Sequence, residues 1–433
     1  MAPKIFNRAL ALLAGIVLST TVFAQVTPPL PPTPPVQDED IHVDFDTKAF
    51  EKSMAHVQLK MKDLQVRMKK LTIKQKADIK LVMKDFSKTF SSDFGKNFAG
   101  AFDGLVPDVS ESFNGSVKNN TDNEEYRKKI ASGEITEKIK NYSKSYSVDG
   151  NDLLELDNRF GKITVNTWAK NEFKVDVQMK FSSENADYVN NMIQGASVSD
   201  SKVGSTVSFK TNLPSSNNNG NRHQSMEINY TVYMPAGNPV DIENKFGSVV
   251  LPDLSGKATI RVSYGGLTAG ALTNSENDVT VKFGDANIGN FNSGKVEVAY
   301  GKLKTGTVNN IEADIKFSSI NIDRLKGSAD VTVKYGDGFR IGTVEKTVKS
   351  IYVNAQFTKI NFDFRQLGNY TFDVTTRFGG FDYDDNNMKV TSKTPSDEDR
   401  GWSSTKNYKG YIGNSGSANK ISITASYTGV SFY

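Results

Sequence analysis

The chain has 433 residues, 37% of them hydrophobic, which is room for two or three domains with packed cores. Lys and Arg number 53 against 49 Asp and Glu, so overall charge selects no partner and nucleic acid is not implied. Cysteine is absent, which excludes disulfides, thiolate metal sites and a lipid-modified cysteine.

The opening residues carry basic Lys4 and Arg8, an apolar run from Ala9 to Leu18, and Val22 and Ala24 before a cut at Gln25. That order predicts a secretory signal peptide over residues 1–24, because the apolar run is shorter than the roughly 20 residues of a membrane span. Residues 25–40 hold six prolines between Pro28 and Pro35 and read as an extended linker, since proline fixes φ and removes the amide donor.

Residues 41–95 predict a long amphipathic helix. Between Asp46 and Phe94 there is neither Gly nor Pro, and Phe50, Met54, Val57, Met61, Leu64, Met68 and Leu71 alternate steps of four and three. Gln75 interrupts the stripe, which resumes as Ile79, Val82, Phe86 and Phe90. A helix of about 40 residues would reach roughly 60 Å. Thirteen Lys or Arg against five Asp or Glu between Lys48 and Lys96 make its polar side basic. Three readings stay open: docking on the chain's own β region, contact with an anionic membrane surface, or self-association through the seam. Residues 96–148 read as a connector, in which EEYRKKIASGEITEKIKNYSKSY has the composition for one or two short helices.

From residue 149 to 433 the alternation becomes that of strands. NDLLELDNRFGKITVNTW and EFKVDVQMKF alternate apolar and polar residues, ADYVNNMIQ reads as a short helix, and MEINYTVYMPAG leads into a repeat. Each copy alternates toward an aromatic, then has Gly or a small residue, then an apolar residue three places on. The aromatics are Phe160, Phe246, Tyr264, Phe283, Tyr300, Phe317, Tyr335, Phe357, Phe378 and, at the end, Tyr427. From Phe246 to Phe378 they are spaced 18, 19, 17, 17, 18, 22 and 21 residues apart.

In the copy at Phe283, Val279 and Val281 share its face if the strand is regular, yet the apolar set resumes at Ala286 and Ile288. The alternation slips once, which places a corner at Gly284 with the ring turned inside. Two short arms with turns at about 18 residues suit one coil of a right-handed parallel β-solenoid; propeller blades need about 40 to 45 residues. A transmembrane barrel needs strands of about 9 to 11 residues, which a corner after six does not allow. Ten coils at strand spacing would form a rod of roughly 50 Å, with ends that need caps.

The ordered run YTVYMPAGNPVDIENKFGSVVLPDLSG, with NRFGKITVNTW near the start of the region, resembles the bacterial putative-adhesin family of β-repeat domains. The likeness covers about Asp149 to Tyr433. It implies a secreted or envelope-associated right-handed β-solenoid, related in style to autotransporter adhesin heads, and carries over no catalytic residue.

Site chemistry is sparse. His42, His56 and His223 are isolated, and YGDGFRIG lacks the Lys-Ser/Thr of a phosphate loop, so no cofactor is implied. The densest acidic cluster, Asp382, Asp384 and Asp385, starts like a calcium loop, but Asn387 stands where the glycine belongs and Lys393 where the bidentate glutamate belongs. A solvated turn is the simpler reading. The expected function is therefore non-enzymatic adhesion, surface binding or envelope assembly, with a glycan, an envelope component or a protein as partner. The alternatives are a polysaccharide-active enzyme and a periplasmic scaffold that binds through the basic helix.

Overall fold

The computed structural model describes residues 120–214, 224–366, 368–396 and 403–433. The signal peptide, the proline linker, the amphipathic helix and the three histidines lie outside the described residues. Within them the protein is mainly β, with 25 strands in one hydrogen-bonded sheet and two short helices, α1 (Asn120–Ala131) and α2 (Ala186–Gly195).

Most strands belong to two parallel ladders. The first contains β2 (Leu153–Arg159), β8 (Val240–Lys245), β10 (Ala258–Ser263), β12 (Asn277–Lys282), β14 (Gly294–Ala299), β15 (Lys302–Lys316), β16 (Ser319–Lys334), β18 (Ser350–Gln356), β24 (Lys420–Ser426) and β20 (Tyr370–Arg377). Its inward residues stack in register, as in the buried column Leu156, Ile242, Ile260, Val279, Val296, Ala313, Val331, Val353, Ile423 and Val374. The second ladder contains β3 (Ile163–Thr167), β9 (Val249–Leu251), β11 (Leu267–Leu272), β13 (Ala286–Phe291), the first halves of β15 and β16, β17 (Phe339–Ile341), β19 (Ile360–Phe362), β25 (Val430–Phe432) and β21 (Phe381–Tyr383). Apolar residues three places past the aromatics, such as Ile163, Leu267 and Ile360, are fully buried there, with Phe381 at the end half-buried. At Tyr335 the turn holds one residue more, and Phe339 takes the inward slot opposite Ile320 and Ile360.

The corner between the ladders differs from the sequence expectation. All ten aromatics have φ between 51° and 64°, while none of the glycines that follow them does. The αL residue breaks the alternation and swings its ring outward. None of the ten rings is in the buried class, and Phe378 and Tyr427 are 53% and 39% exposed. The glycine serves a different need: a Cβ on Gly284 would lie 1.9 Å from the carbonyl oxygen of Gly265, and one on Gly301 would lie 1.9 Å from that of Gly284. Backbones of successive corners approach too closely for any side chain.

The ends are closed by antiparallel strands. β4 (Glu172–Ser183) pairs with β7 (Gln224–Met234) and with β1 (Thr136–Ser147), and β5 (Ser197–Val203) pairs with β6 (Thr206–Asn212) beside β2. α1 and β1 both fall in the segment read as connector: α1 is one of the short helices expected there, whereas β1 is a strand. Its Tyr142 and Tyr146 pack against the core while Asn141, Ser143, Ser145 and Ser147, on the opposite face, are exposed, a strand period that outweighs local helix propensity. Lysines on an edge strand also discourage further pairing. α2 matches its prediction, with Asn185 capping through the amides of Asp187 and Tyr188 and with Val189 and Met192 buried. At the other end, β23 (Thr405–Ile412) pairs with β20, and β22 (Met388–Thr394) pairs with β23.

Spatial order departs from chain order at the far end of the ladders. β24 and β25 insert between β18–β19 and β20–β21, so the last repeat in the sequence is the penultimate one in the stack.

Gly284→Ala forces a Cβ into backbone and is expected to cost about 2–4 kcal/mol. Gly380→Ala, where nothing lies within 4 Å, should change stability by less than about 1 kcal/mol. Denaturant midpoints of the two variants check the contrast.

Candidate functional site

The corner aromatics form one column. In spatial order the rings are Phe160, Phe246, Tyr264, Phe283, Tyr300, Phe317, Tyr335, Phe357, Tyr427 and Phe378, with centroids 4.8 to 5.2 Å apart and planes within 11° of parallel. Each inner ring has both faces covered by its neighbours, so the column presents ring edges, where the quadrupole is positive. Every residue singled out as a repeat anchor is therefore brought together, but on the outside of the corner. Burial raises the phenol pKa of Tyr264 and Tyr300 near the middle of the column.

The outer face of the first ladder carries polar columns at the same spacing. Asp278, Lys295, Glu312, Asp330 and Tyr352 are successive partners on β12, β14, β15, β16 and β18. They line a shallow depression of about 620 Å³. Lys295 pairs with Glu312 at 3.6 Å and Lys282 with Glu297 at 3.5 Å, so opposite charges on neighbouring strands partly neutralise this face.

A second depression, of about 500 Å³, lies near the first end of the ladder and gathers Glu155, Asp157, Asp241 and Glu243. In-register pairing sets Glu155 beside Asp241 and Asp157 beside Glu243. Arg261 reaches Asp241 at 2.7 Å, Lys245 reaches Glu243 at 2.8 Å and Lys210 reaches Asp157 at 4.0 Å. The hydrogen bond from Lys245 holds the Glu243 carboxyl below its usual range against the effect of burial. A carboxyl that protonates a glycosidic oxygen needs the opposite displacement.

Asp384 accepts hydrogen bonds from the amide of Asn386 at 3.0 Å and from the side-chain amides of Asn386 and Asn387 at 2.8 and 3.1 Å. These bonds lower its pKa and fix the turn between β21 and β22. Asp382 lies on β21 opposite Ser431, one strand-end away from that turn, and Asp385 is exposed. Among the described residues no group of three or more His, Asp or Glu side chains is arranged to hold a metal ion.

Two polar clusters were missed in the sequence. Asn158 and Asn244 are buried two residues before their aromatics: Asn158 donates to the carbonyl of Ile228 and to Oδ1 of Asn244, and Thr211 donates to Asn158. The signal was present, as LDNRF and IENKF place Asn where later copies have Val or Ala. The other cluster joins β1 to β5, where Tyr142 donates to Asp200 at 2.6 Å and Tyr146 donates to its second oxygen. It was not legible, because β1 itself was not.

No family model matches the chain, and no curated protein matches it. Solved structures to which it is similar include one described as a putative cell adhesion protein from Clostridium sporogenes, 14% identical, covering 68% of this chain and 97% of that one with a TM-score of 0.19. Another is described as a putative adhesin from Bacteroides fragilis, 9% identical, covering 68% of this chain and 97% of that one with a TM-score of 0.26.

The tyrosine cluster sets a pH window. Burial would raise the Asp200 carboxyl, but the bonds from Tyr142 and Tyr146 outweigh it and hold the pKa below the usual range. The bond to Asp200, with burial, pushes Tyr146 up to about 12. The depressed carboxyl contributes stability above its unfolded value near 3.9 that is lost as pH falls through the folded value. The raised phenol contributes stability below about pH 10 that is lost as pH rises toward 12. Asp200→Asn is expected to lower stability by about 1 kcal/mol at pH 7. It should also flatten both limbs of the unfolding-midpoint profile measured from pH 3 to 12.

Proposed function

We propose that the chain is a non-enzymatic, exported β-solenoid protein of the cell envelope or the cell exterior, acting in adhesion, surface binding or envelope assembly. Residues 149–433 form the right-handed solenoid, about 18 residues per coil, carried on the preceding linker, helix and connector after removal of residues 1–24. The observation that carries this reading is the in-register repetition of outward side chains on parallel strands. Such a surface offers the same weak contact many times at one spacing, and linked weak contacts gain avidity without any single tight site.

Two features weigh against catalysis. Three carboxylates of the acidic depression are ion-paired, Asp241 and Asp157 across strands and Glu243 along its own strand, and the carboxyl pKa values that are displaced, at Asp152, Asp176, Asp200, Glu227, Glu243, Asp363 and Asp384, all move downward. Those groups are set up to hold charge, not to donate a proton.

Washed intact cells producing the protein, treated with protease, test the location on which adhesion depends. Cleavage before the outer membrane is broken is the expected result. Protection until the membrane is broken would exclude surface adhesion and leave envelope assembly as the role.

A further inference from the structure

The ring column is a continuous apolar strip, nine steps of roughly 5 Å, or about 45 Å in length. Shelter along it is uneven: burial raises the phenols of Tyr264 and Tyr300, while Tyr427 and Phe378 at the far end are 39% and 53% exposed. The glycines beside the rings add no side chain that could shield the strip. Its occupant has to be long, straight and apolar along one line, with a period near 5 Å.

The sequence contains such a line. In a helix, the alternating steps of four and three from Phe50 to Leu71 advance about 5.3 Å per apolar residue, since 3.5 residues rise 1.5 Å each. The rings advance 4.8 to 5.2 Å. One seam residue therefore meets one ring, and the drift of about 0.5 Å per heptad reaches only half a ring after five heptads. Met54, Met61 and Met68 recur at seven residues and would fall on every second ring. A thioether is favourable at a ring edge and flexible enough to absorb that drift. The seam from Phe50 to Phe90 spans about 60 Å, which exceeds the column.

Connection and charge agree with this pairing. Residues 95–119 separate Phe94 from the start of α1 and can reach about 80 Å when extended, so the segment can lie along the column in either direction. The lysines of the segment fall between the seam positions, so docking through the seam would leave them in solvent, whereas burying them would be costly.

We propose that residues 46–94 dock as a helix along the aromatic column of the same molecule, with the part of the seam between Phe50 and Phe90 that spans the column packed on the ring edges. The heptad pattern then serves an α-on-β register and not a coiled coil between chains. It follows that the apolar side of this segment is committed in cis, and that only its basic side is offered to other partners. This inference is independent of the adhesion reading.

The test places the photo-crosslinker p-benzoylphenylalanine at Tyr300 in the full chain, in an equal mixture of ¹⁴N- and ¹⁵N-labelled protein. Mass spectrometry after irradiation is expected to find crosslinks from position 300 to peptides between residues 46 and 94, within one isotope label. Crosslinks that join the two labels would assign the seam to a second copy and overturn the proposal. Absence of any crosslink to that segment would overturn it as well. A triple variant, Met54→Asp, Met61→Asp and Met68→Asp, should lose at least tenfold in crosslink yield and nitrate faster at Tyr264, with its β circular dichroism unchanged. Undiminished yield in that variant would also overturn the proposal.

Discussion

The structure depends on one local constraint, the left-handed backbone at the corner aromatic. A non-glycine residue in this conformation costs roughly 1–2 kcal/mol, and the chain accepts it ten times. Stacking of each ring on the next returns about 0.5–1.5 kcal/mol beyond the area it buries, which is the same order. Neither term is sustainable alone. A single αL phenylalanine would be strained without a neighbour, and rings 5 Å apart would not align without identical corners, so the column forms cooperatively or not at all.

The rest of the architecture follows from that corner. Because the αL residue reverses the alternation, both arms turn their apolar side chains to the same interior, and columns such as Leu156 to Val374 fill it. Because the corners superpose, the following position must approach the backbone of the neighbouring corner, which selects Gly161, Gly247, Gly265, Gly284 and Gly301. Where Ser318 and Thr358 stand instead, their hydroxyls accept from the amides of Gly301 and Gly336 at 3.0 and 2.9 Å, replacing close approach with a hydrogen bond. Parallel ladders leave open edges at both ends, and the antiparallel strands β1, β5 and β22 with their polar side chains close them. Function is then confined to what faces outward, namely the ring edges and the polar columns of the sheet faces.

Much of this was legible in the residues. The period, the three-residue slip, the inward sets on each side of it and α2 were all read from sequence, since they depend on side-chain type at fixed spacing. The direction of the ring was not, because Phe283 follows Val279 and Val281 at strand period, and only the backbone angle decides whether it continues inward. β1 was hidden for a related reason: TEKIKNYSKSY has the charge of a solvated helix, and its strand character comes from twelve pairs with β4. Nor could sequence order show that Tyr427 sits between Phe357 and Phe378. That insertion is a long-range choice, made possible because every repeat offers the same strand edge. The stacking aromatics were identifiable from their spacing, and their exposure was not.

The central claim is that successive repeats stack in register, one strand apart. Thr259 and Ser422 share an outward column and are six strand steps apart, through Asp278, Lys295, Glu312, Asp330 and Tyr352. The chain has no cysteine, so Thr259→Cys with Ser422→Cys gives two clean sites for spin labels. Pulsed electron resonance should return a single narrow distance near 30 Å, six steps of about 4.8 Å. A broad distribution, or a distance below about 20 Å as a sheet curled onto itself would give, would contradict the account.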